Sequence, residues 1–231
     1  NQFFEDQAHN ASQVADFLAQ SLETSDGGGS NSWELKENIF RHPSGWWVNG
    51  SKPDMGFLMS PEAILTPDLE QNQSFIAGSK AVFTSLSKAN PEIRTVFTIT
   101  EDQTLWIYPN RLWQDGQFMV AELSDLSNRP YYQETEQVVW ANPYVDVEPV
   151  LTVAAPIWVG EDFYGMAGVD FSLETLIAET LETRIGSNGY MFLVDEDAQV
   201  VALPDLARGS LLREDLSGCP AEMIGLSLFE V

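Results

Sequence analysis

An acidic residue stands near the end of an otherwise apolar stretch, VLTVAAPIWVGEDFYGMAGVDFS, residues 150–172. A carboxylate in apolar surroundings is costly unless it is paired. Asp170 therefore needs a fixed partner, caps the element that follows, or accepts a hydrogen bond from a ligand. Alternation along a strand puts Tyr164, Met166, Gly168 and Asp170 on one face. A glycine inside a strand often marks close approach by a ligand or by another backbone, and Gly168 therefore predicts cleared space beside the carboxylate.

A second segment, SNRPYYQETEQVVWANPYVD, combines a guanidinium, aromatic rings and an acid: Arg129, Tyr131, Tyr132, Tyr144 and Asp146. Arginine binds a carboxylate through a planar fork, and tyrosine rings form apolar walls with a polar hydroxyl. With Asp170, these residues predict a site for a small zwitterion, whose carboxylate binds Arg129 and whose ammonium binds Asp146 and Asp170. The structural alternatives are a helix-capping or Arg-paired Asp170 and a surface turn rich in tyrosine.

The composition excludes several function classes. The 231 residues include 35 acidic and 11 basic side chains, for a net charge of -24. Such a field disfavours nucleic-acid partners and anionic lipid surfaces. Cys219 is the single cysteine, and His9 and His42 are the two histidines. We therefore expect no catalytic histidine or cysteine centre, no metal site and no cofactor. The many acids and seven tryptophans leave a secreted carbohydrate-active enzyme or carbohydrate-binding module as the alternative.

The secondary-structure elements that must position these residues are predicted to form an α+β fold. Apolar residues at helical spacing predict a long helix over residues 1–24, and 33–67 reads as loops and short pieces. A helix with Asp68 as its N-cap is expected over 68–89. Turn signals between apolar runs predict hairpins, with an exposed turn at GED, followed by a helix over 172–185 and a further strand–turn–strand. No run is long enough to span a membrane, and because the chain begins at Asn1, we expect it to be part of a longer protein.

The runs TLWIYP, NRPYY, NPYVD, LTVAAPIW, FYGMAGVDFSLETL and GYMFLVDEDAQVVALP resemble a bacterial double Cache sensor domain. Members of that family are extracytoplasmic ligand-binding modules of chemoreceptors, sensor kinases and cyclases, with a long N-terminal helix and two PAS-like antiparallel lobes. The resemblance implies an N-terminal helix and irregular segment at 1–67, a membrane-distal ligand-binding lobe at 68–185, and an incomplete membrane-proximal lobe at 186–231.

The same resemblance implies a non-enzymatic receptor domain for an amino acid, an amine or a small carboxylate. The amino-acid-binding branch of the family matches this chain at Arg129, Tyr131, Tyr132 and Asp170, and Tyr144 and Asp146 fall at further pocket positions. Tyr131 replaces a usual tryptophan. Met166 and Tyr108 are predicted to complete the lining. The resemblance also implies a periplasmic location, tethering by membrane helices outside this chain, and a homodimer formed through the N-terminal helix.

Overall fold

The computed structural model describes residues 2–24, 35–119, 126–145, 149–172, 193–194, 199–202 and 226–227. Its helices are α1 (Gln2–Glu23), α2 (Leu35–Asn38), α3 (Pro67–Gly78) and α4 (Lys80–Ala89), with a short 3₁₀ turn, η1, at Leu126–Asn128. Its strands are β1 (Ile39–Arg41), β2 (Trp47–Asn49), β3 (Gly56–Met59), β4 (Ile93–Thr100), β5 (Thr104–Tyr108), β6 (Trp113–Gln114), β7 (Gln117–Phe118), β8 (Val139–Val145), β9 (Pro149–Val159), β10 (Asp162–Ser172), β11 (Leu193–Val194), β12 (Gln199–Ala202) and β13 (Leu226–Ser227). The predicted α+β class is confirmed.

Contacts divide the chain into two compact units. The first contains Asn1–Trp140 and Thr152–Asp170, and the second contains Ala141–Leu151 and Phe171–Val231. In the second unit, β11, β12 and β13 form a small antiparallel sheet, so the predicted strand–turn–strand after residue 190 is confirmed. The helix predicted over 172–185 lies outside the described residues, except that Ser172 itself ends β10. The lobe boundaries at 67 and 185 stay predictions.

The N-terminal helix buries one apolar stripe. Ala11, Val14, Ala15, Leu18 and Leu22 are all less than a tenth exposed. Their spacing of three and four residues places them on one side of α1. This helix packs against α3 and α4. The long helix predicted from the same spacing is confirmed.

The main sheet has eight strands in the order β1-β2-β3-β5-β4-β10-β9-β8. In the β4–β5 hairpin, Thr98 pairs with Trp106, and Trp106 pairs in turn with Phe57 of β3. The Trp106 indole donates a 2.8 Å hydrogen bond to the Gln73 side chain of α3. Trp106, Thr98 and Phe57 therefore lie on the face that packs against the helices. The alternate residues of β4, beginning with Thr95, lie on the opposite face.

Two segments of the first unit have more structure than was predicted or a different one. The short pieces predicted among loops over 33–67 are α2 and the strands β1 to β3, and these strands extend the main sheet, which was not predicted. Such three-residue and four-residue strands are too short to give a clear periodic signal. The single helix predicted over 68–89 is two helices, α3 and α4, separated at Ser79. Thr66 rather than Asp68 caps α3, because its hydroxyl accepts a hydrogen bond from the Leu69 N–H at 3.2 Å.

Candidate functional site

Asp170 lies between two threonine hydroxyls that come from the neighbouring strands. The Thr152 hydroxyl of β9 donates to one carboxylate oxygen at 2.6 Å, and the Thr95 hydroxyl of β4 donates to the other. Both threonines are buried, whereas Asp170 is partly exposed. The first possibility raised by the sequence, a fixed partner, therefore holds.

Strand alternation explains why these three side chains meet. Strand β10 lies between β4 and β9 in the sheet, and each residue belongs to the face away from the helices. Threonine is β-branched and favours strands, so it can supply a hydroxyl from a sheet position without disturbing the backbone. Hydrogen bonds to a charged group are about twice as strong as neutral ones. The three strands thus fix the direction in which the Asp170 carboxylate points.

The space predicted above Gly168 is filled by protein atoms. A Cβ at Gly168 would lie 2.6 Å from the Val153 carbonyl oxygen, 2.7 Å from the Phe97 ring and 3.0 Å from the Ala154 methyl. The expectation of open space at this position is wrong. A small residue is required here because the Phe97 ring and the β9 strand approach the β10 backbone closely.

The Phe97 ring connects this sheet face to the aromatic segment. The ring centroid of Tyr131 lies 4.9 Å from that of Phe97, with a 45° angle between the planes. Tyr131 is 5% exposed, so it covers the sheet rather than facing solvent. The Tyr131 ring therefore lies on the same face of the sheet as Asp170.

Arg129, Tyr131 and Tyr132 occupy one tight turn. The Tyr132 N–H donates to the Arg129 carbonyl oxygen at 2.9 Å. The Tyr132 ring contacts Phe163 edge-on at 5.9 Å between centroids, near the tip of the β9–β10 hairpin. Arg129 and Tyr132 are both partly exposed. The turn therefore carries a partly exposed guanidinium and a partly exposed phenol on either side of the buried Tyr131.

The other predicted site residues are placed differently. Tyr108 pairs with Val96 across the β4–β5 hairpin, which puts it on the face opposite Thr95, so the structure does not bring it to Asp170. Met166 is completely buried. Tyr144 belongs to β8, but its side chain lies outside the described part, and Asp146 lies outside the described residues altogether.

Two groups, Asp102 in the β4–β5 turn and Tyr164 in β10, have shifted pKa values. Partial burial raises the pKa of the Asp102 carboxyl above its usual range. Burial, and secondarily the Asp102 charge, raise the pKa of the Tyr164 phenol well above its ordinary value, so Tyr164 is neutral at physiological pH. Asp102 also lines a surface cavity of about 270 Å³, together with Ser60, Glu62, Ala63, Ile64, Leu69, Glu101 and Gln103.

In the part of the chain that the structure describes, no three His, Cys, Asp or Glu side chains come together as a metal site. No described helix is long and apolar enough to cross a membrane.

Sequence reasoning did not single out Thr95 and Thr152. Each lies within an apolar run, where a threonine resembles an ordinary strand residue. Their role depends on the register between three strands, which local spacing does not specify. A threonine in the middle of a buried strand, where a valine would pack equally well, is the signal that could have indicated a polar partner.

The chain is similar to bacterial chemotaxis receptors. PctB of Pseudomonas aeruginosa, a methyl-accepting chemotaxis protein, is 32% identical over 103 residues, which are 39% of this chain and 16% of PctB. TlpB of Bacillus subtilis, another methyl-accepting chemotaxis protein, is 22% identical over 138 residues, covering 57% of this chain and 19% of TlpB. The chain thus corresponds to less than a fifth of each relative's length. No protein-family profile matches it.

The fold is shared with a solved structure, and a second one is similar over part of the chain. The extracellular domain of the putative histidine kinase mmHK1S-Z3 gives a TM-score of 0.51 at 20% identity, over 96% of this chain and 73% of that one. The ligand-binding domain of PctB in complex with L-Arg gives a TM-score of 0.49 at 24% identity, over 67% of this chain and 59% of that one. The sensor-domain resemblance predicted from the sequence is confirmed by the similarity to these chemotaxis receptors.

Proposed function

We propose that this double Cache-type sensor domain binds a small molecule with a protonated amine on the sheet face around Asp170. The observation that carries the proposal is the partly exposed Asp170 carboxylate, which two buried threonine hydroxyls hold in place. A carboxylate so oriented is ready to accept hydrogen bonds from an ammonium group without first ordering itself. The net charge of -24 adds a general attraction for cationic groups.

The turn at Arg129 supplies the complementary group. A guanidinium binds a carboxylate through two parallel hydrogen bonds, and the Tyr131 and Tyr132 rings can enclose the apolar part of a ligand. An α-amino acid or a short amino acid with separated charges carries both groups. We therefore propose an amino acid or a related amine as the ligand class. Tyr144 and Asp146 remain proposed contributors from the segment that follows.

A binding screen tests this proposal. L-arginine and GABA are useful first probes, because structures of the PctB and PctC ligand-binding domains contain them. The panel consists of these two compounds, L-glutamine, L-valine and acetate. Only the compounds with an amine should raise the melting temperature of the domain. A ligand present at about 100 times its Kd stabilises the folded domain by about 2.7 kcal/mol. A panel in which acetate alone stabilises the domain would contradict the assignment of Asp170.

Replacing Arg129 with alanine should weaken amino-acid binding at least tenfold, about 1.4 kcal/mol. The change removes a charge-assisted contact to the ligand carboxylate. The melting temperature should change little, because Arg129 is partly exposed and lies in a turn. Isothermal titration calorimetry measures the affinity, and Arg41→Ala, at an exposed strand position, controls for loss of one positive charge. Unfolding of Arg129→Ala would instead favour the structural alternative of a buried partner.

The place of the domain in the whole protein is also proposed. Solved relatives include extracellular domains, and we propose that this chain is the extracytoplasmic part of a receptor held in the membrane by helices outside the chain. Ligand binding would then shift the population of receptor states and change a cytoplasmic output.

We further propose that the domain forms a homodimer through α1. Phe17 is 40% exposed on the solvent side of this helix, and Phe4 is 36% exposed. Sedimentation at increasing concentration should show a dimer, and Phe17→Glu should shift the equilibrium towards monomer. Gln114→Glu, at an exposed position of β6 and therefore outside α1, is the matched control for the added charge. Identical sedimentation of the Phe17→Glu variant and the unaltered chain would contradict this interface.

A further inference from the structure

The turn between β4 and β5 contains a residue in an unusual backbone conformation. Gln103 has a φ of 58°, and Asp115 is the other non-glycine residue with positive φ in the described part of the chain. Side chains with a Cβ rarely adopt this conformation, which glycine adopts at no cost. Such a residue persists where surrounding contacts hold it in place. We therefore expect contacts that hold the backbone of Gln103 in this conformation.

Gln103 is hydrogen-bonded to three separate places. Its own N–H donates to the Thr100 carbonyl at 3.0 Å and closes the turn. Its carbonyl accepts the Ser60 N–H at 3.0 Å, in the segment that follows β3. Its side-chain oxygen accepts the Leu126 N–H at 2.8 Å. One turn residue thus connects two loops to the sheet.

The Leu126 bond is the one that bears on the candidate site. Leu126 begins η1, and an N–H at the start of a helical turn has no partner within the helix. The amide oxygen of Gln103 supplies that partner, while the Leu126 side chain is fully buried. Three residues after Leu126 the chain reaches Arg129, and Tyr131 follows two residues later. The point at which this segment leaves the sheet is therefore fixed by Gln103.

We infer that Gln103 is a positioning residue for the ligand-binding turn. It acts through the backbone of Leu126 and sets the start of the segment that carries Arg129 and Tyr131. The effect of Gln103 on ligand binding rests on the proposed function, whereas its effect on the position of the turn does not depend on any ligand. Losing the Gln103 acceptor loosens the turn while the sheet keeps its pairing.

Backbone hydrogen exchange in the ligand-free domain tests the inference directly. Gln103→Met keeps an unbranched side chain of similar length but removes the amide oxygen that accepts the Leu126 N–H. We expect exchange of the Leu126 and Tyr132 amides to accelerate roughly threefold to tenfold. Amides of the β4–β5 hairpin, such as that of Trp106, should exchange at unchanged rates. Gln103→Glu keeps an oxygen at the same place and should restore the slow exchange of both loop amides.

Asp115→Met in the β6–β7 turn is the matched control, because it places a methionine at the other left-handed position. It should leave the Leu126 and Tyr132 amides unchanged. Unaltered exchange in Gln103→Met, an equal increase at every amide, or no restoration by Gln103→Glu would overturn the inference. If any amino acid of the panel binds, Gln103→Met should weaken it less than Arg129→Ala does. If no amino acid binds, the proposed function is contradicted, but the role of Gln103 in positioning the turn is still tested by the exchange rates.

Discussion

Gly165→Ala should unfold the domain or reduce its free energy of unfolding by about 4 kcal/mol or more, the range reserved for severe core disruption. A Cβ at this position would lie 2.1 Å from the Ile99 carbonyl oxygen and 2.7 Å from the Thr100 Cα. Both atoms belong to the backbone of β4, so neither can rotate away as a flexible side chain would. The backbone at Gly165, with φ of 151°, also disfavours any residue with a Cβ.

Gly160→Ala is the matched control for this substitution. Gly160 also has a positive φ, of 64°, but no atom lies within 4 Å of the position that its Cβ would occupy. It should therefore lose only the roughly 1–2 kcal/mol associated with a left-handed conformation. Urea unfolding of both variants measures the difference. Equal losses for the two glycines would show that β4 and β10 are not packed as closely as the structure places them.

The features that sequence reasoning predicted correctly are those with a local cause. The stripe from Ala11 to Leu22 has helical spacing, and the two long strands β9 and β10 are continuous apolar runs joined by an exposed acidic turn. Asp170 could be singled out because an acid among apolar residues is conspicuous in any register. Each of these signals can be read within about twenty residues.

The errors have a different physical origin. Strands of three or four residues, such as β1, give no measurable periodicity and are stabilised by the sheet that they join. The break at Ser79 had a local signal, since Gly78 ends α3, but an apolar pattern continuing beyond it favoured one helix. The filling of space at Gly168 by Phe97 depends on a neighbouring strand about seventy residues earlier in the chain. Tertiary contacts of that kind leave no trace in local spacing.

The same distinction explains why the candidate site was only partly predictable. Residue types indicated the groups that could bind a zwitterion, and that assignment stays a prediction. The residues that orient those groups were not predicted. Thr95, Thr152 and Gln103 act through hydrogen bonds to strands or loops that are distant in sequence. Positioning residues of this kind have ordinary chemistry, so only register and contacts reveal them.

Asp170→Asn should abolish most of the affinity for an amine-bearing ligand, by about 2–5 kcal/mol, because it removes one partner of a desolvated charge pair. The shape is retained, since asparagine is nearly isosteric with aspartate. Stability should change little. The remaining amide oxygen still accepts from one threonine, and the other threonine hydroxyl can turn and accept from the amide NH₂. Calorimetric titration with the amino-acid panel and thermal unfolding measure the two quantities on the same sample.

Thr152→Val separates the charge of Asp170 from its orientation. Valine matches threonine in shape but donates nothing to the Asp170 oxygen that Thr152 contacts. We expect a smaller loss of affinity than in Asp170→Asn, because the carboxylate keeps its charge and its bond from Thr95. If Asp170 served only the fold, the order would reverse: Asp170→Asn would leave affinity untouched, and both variants would melt at lower temperature. Amine binding that survives Asp170→Asn would remove this face of the sheet as the ligand site, because the oriented Asp170 carboxylate is the observation on which that placement rests.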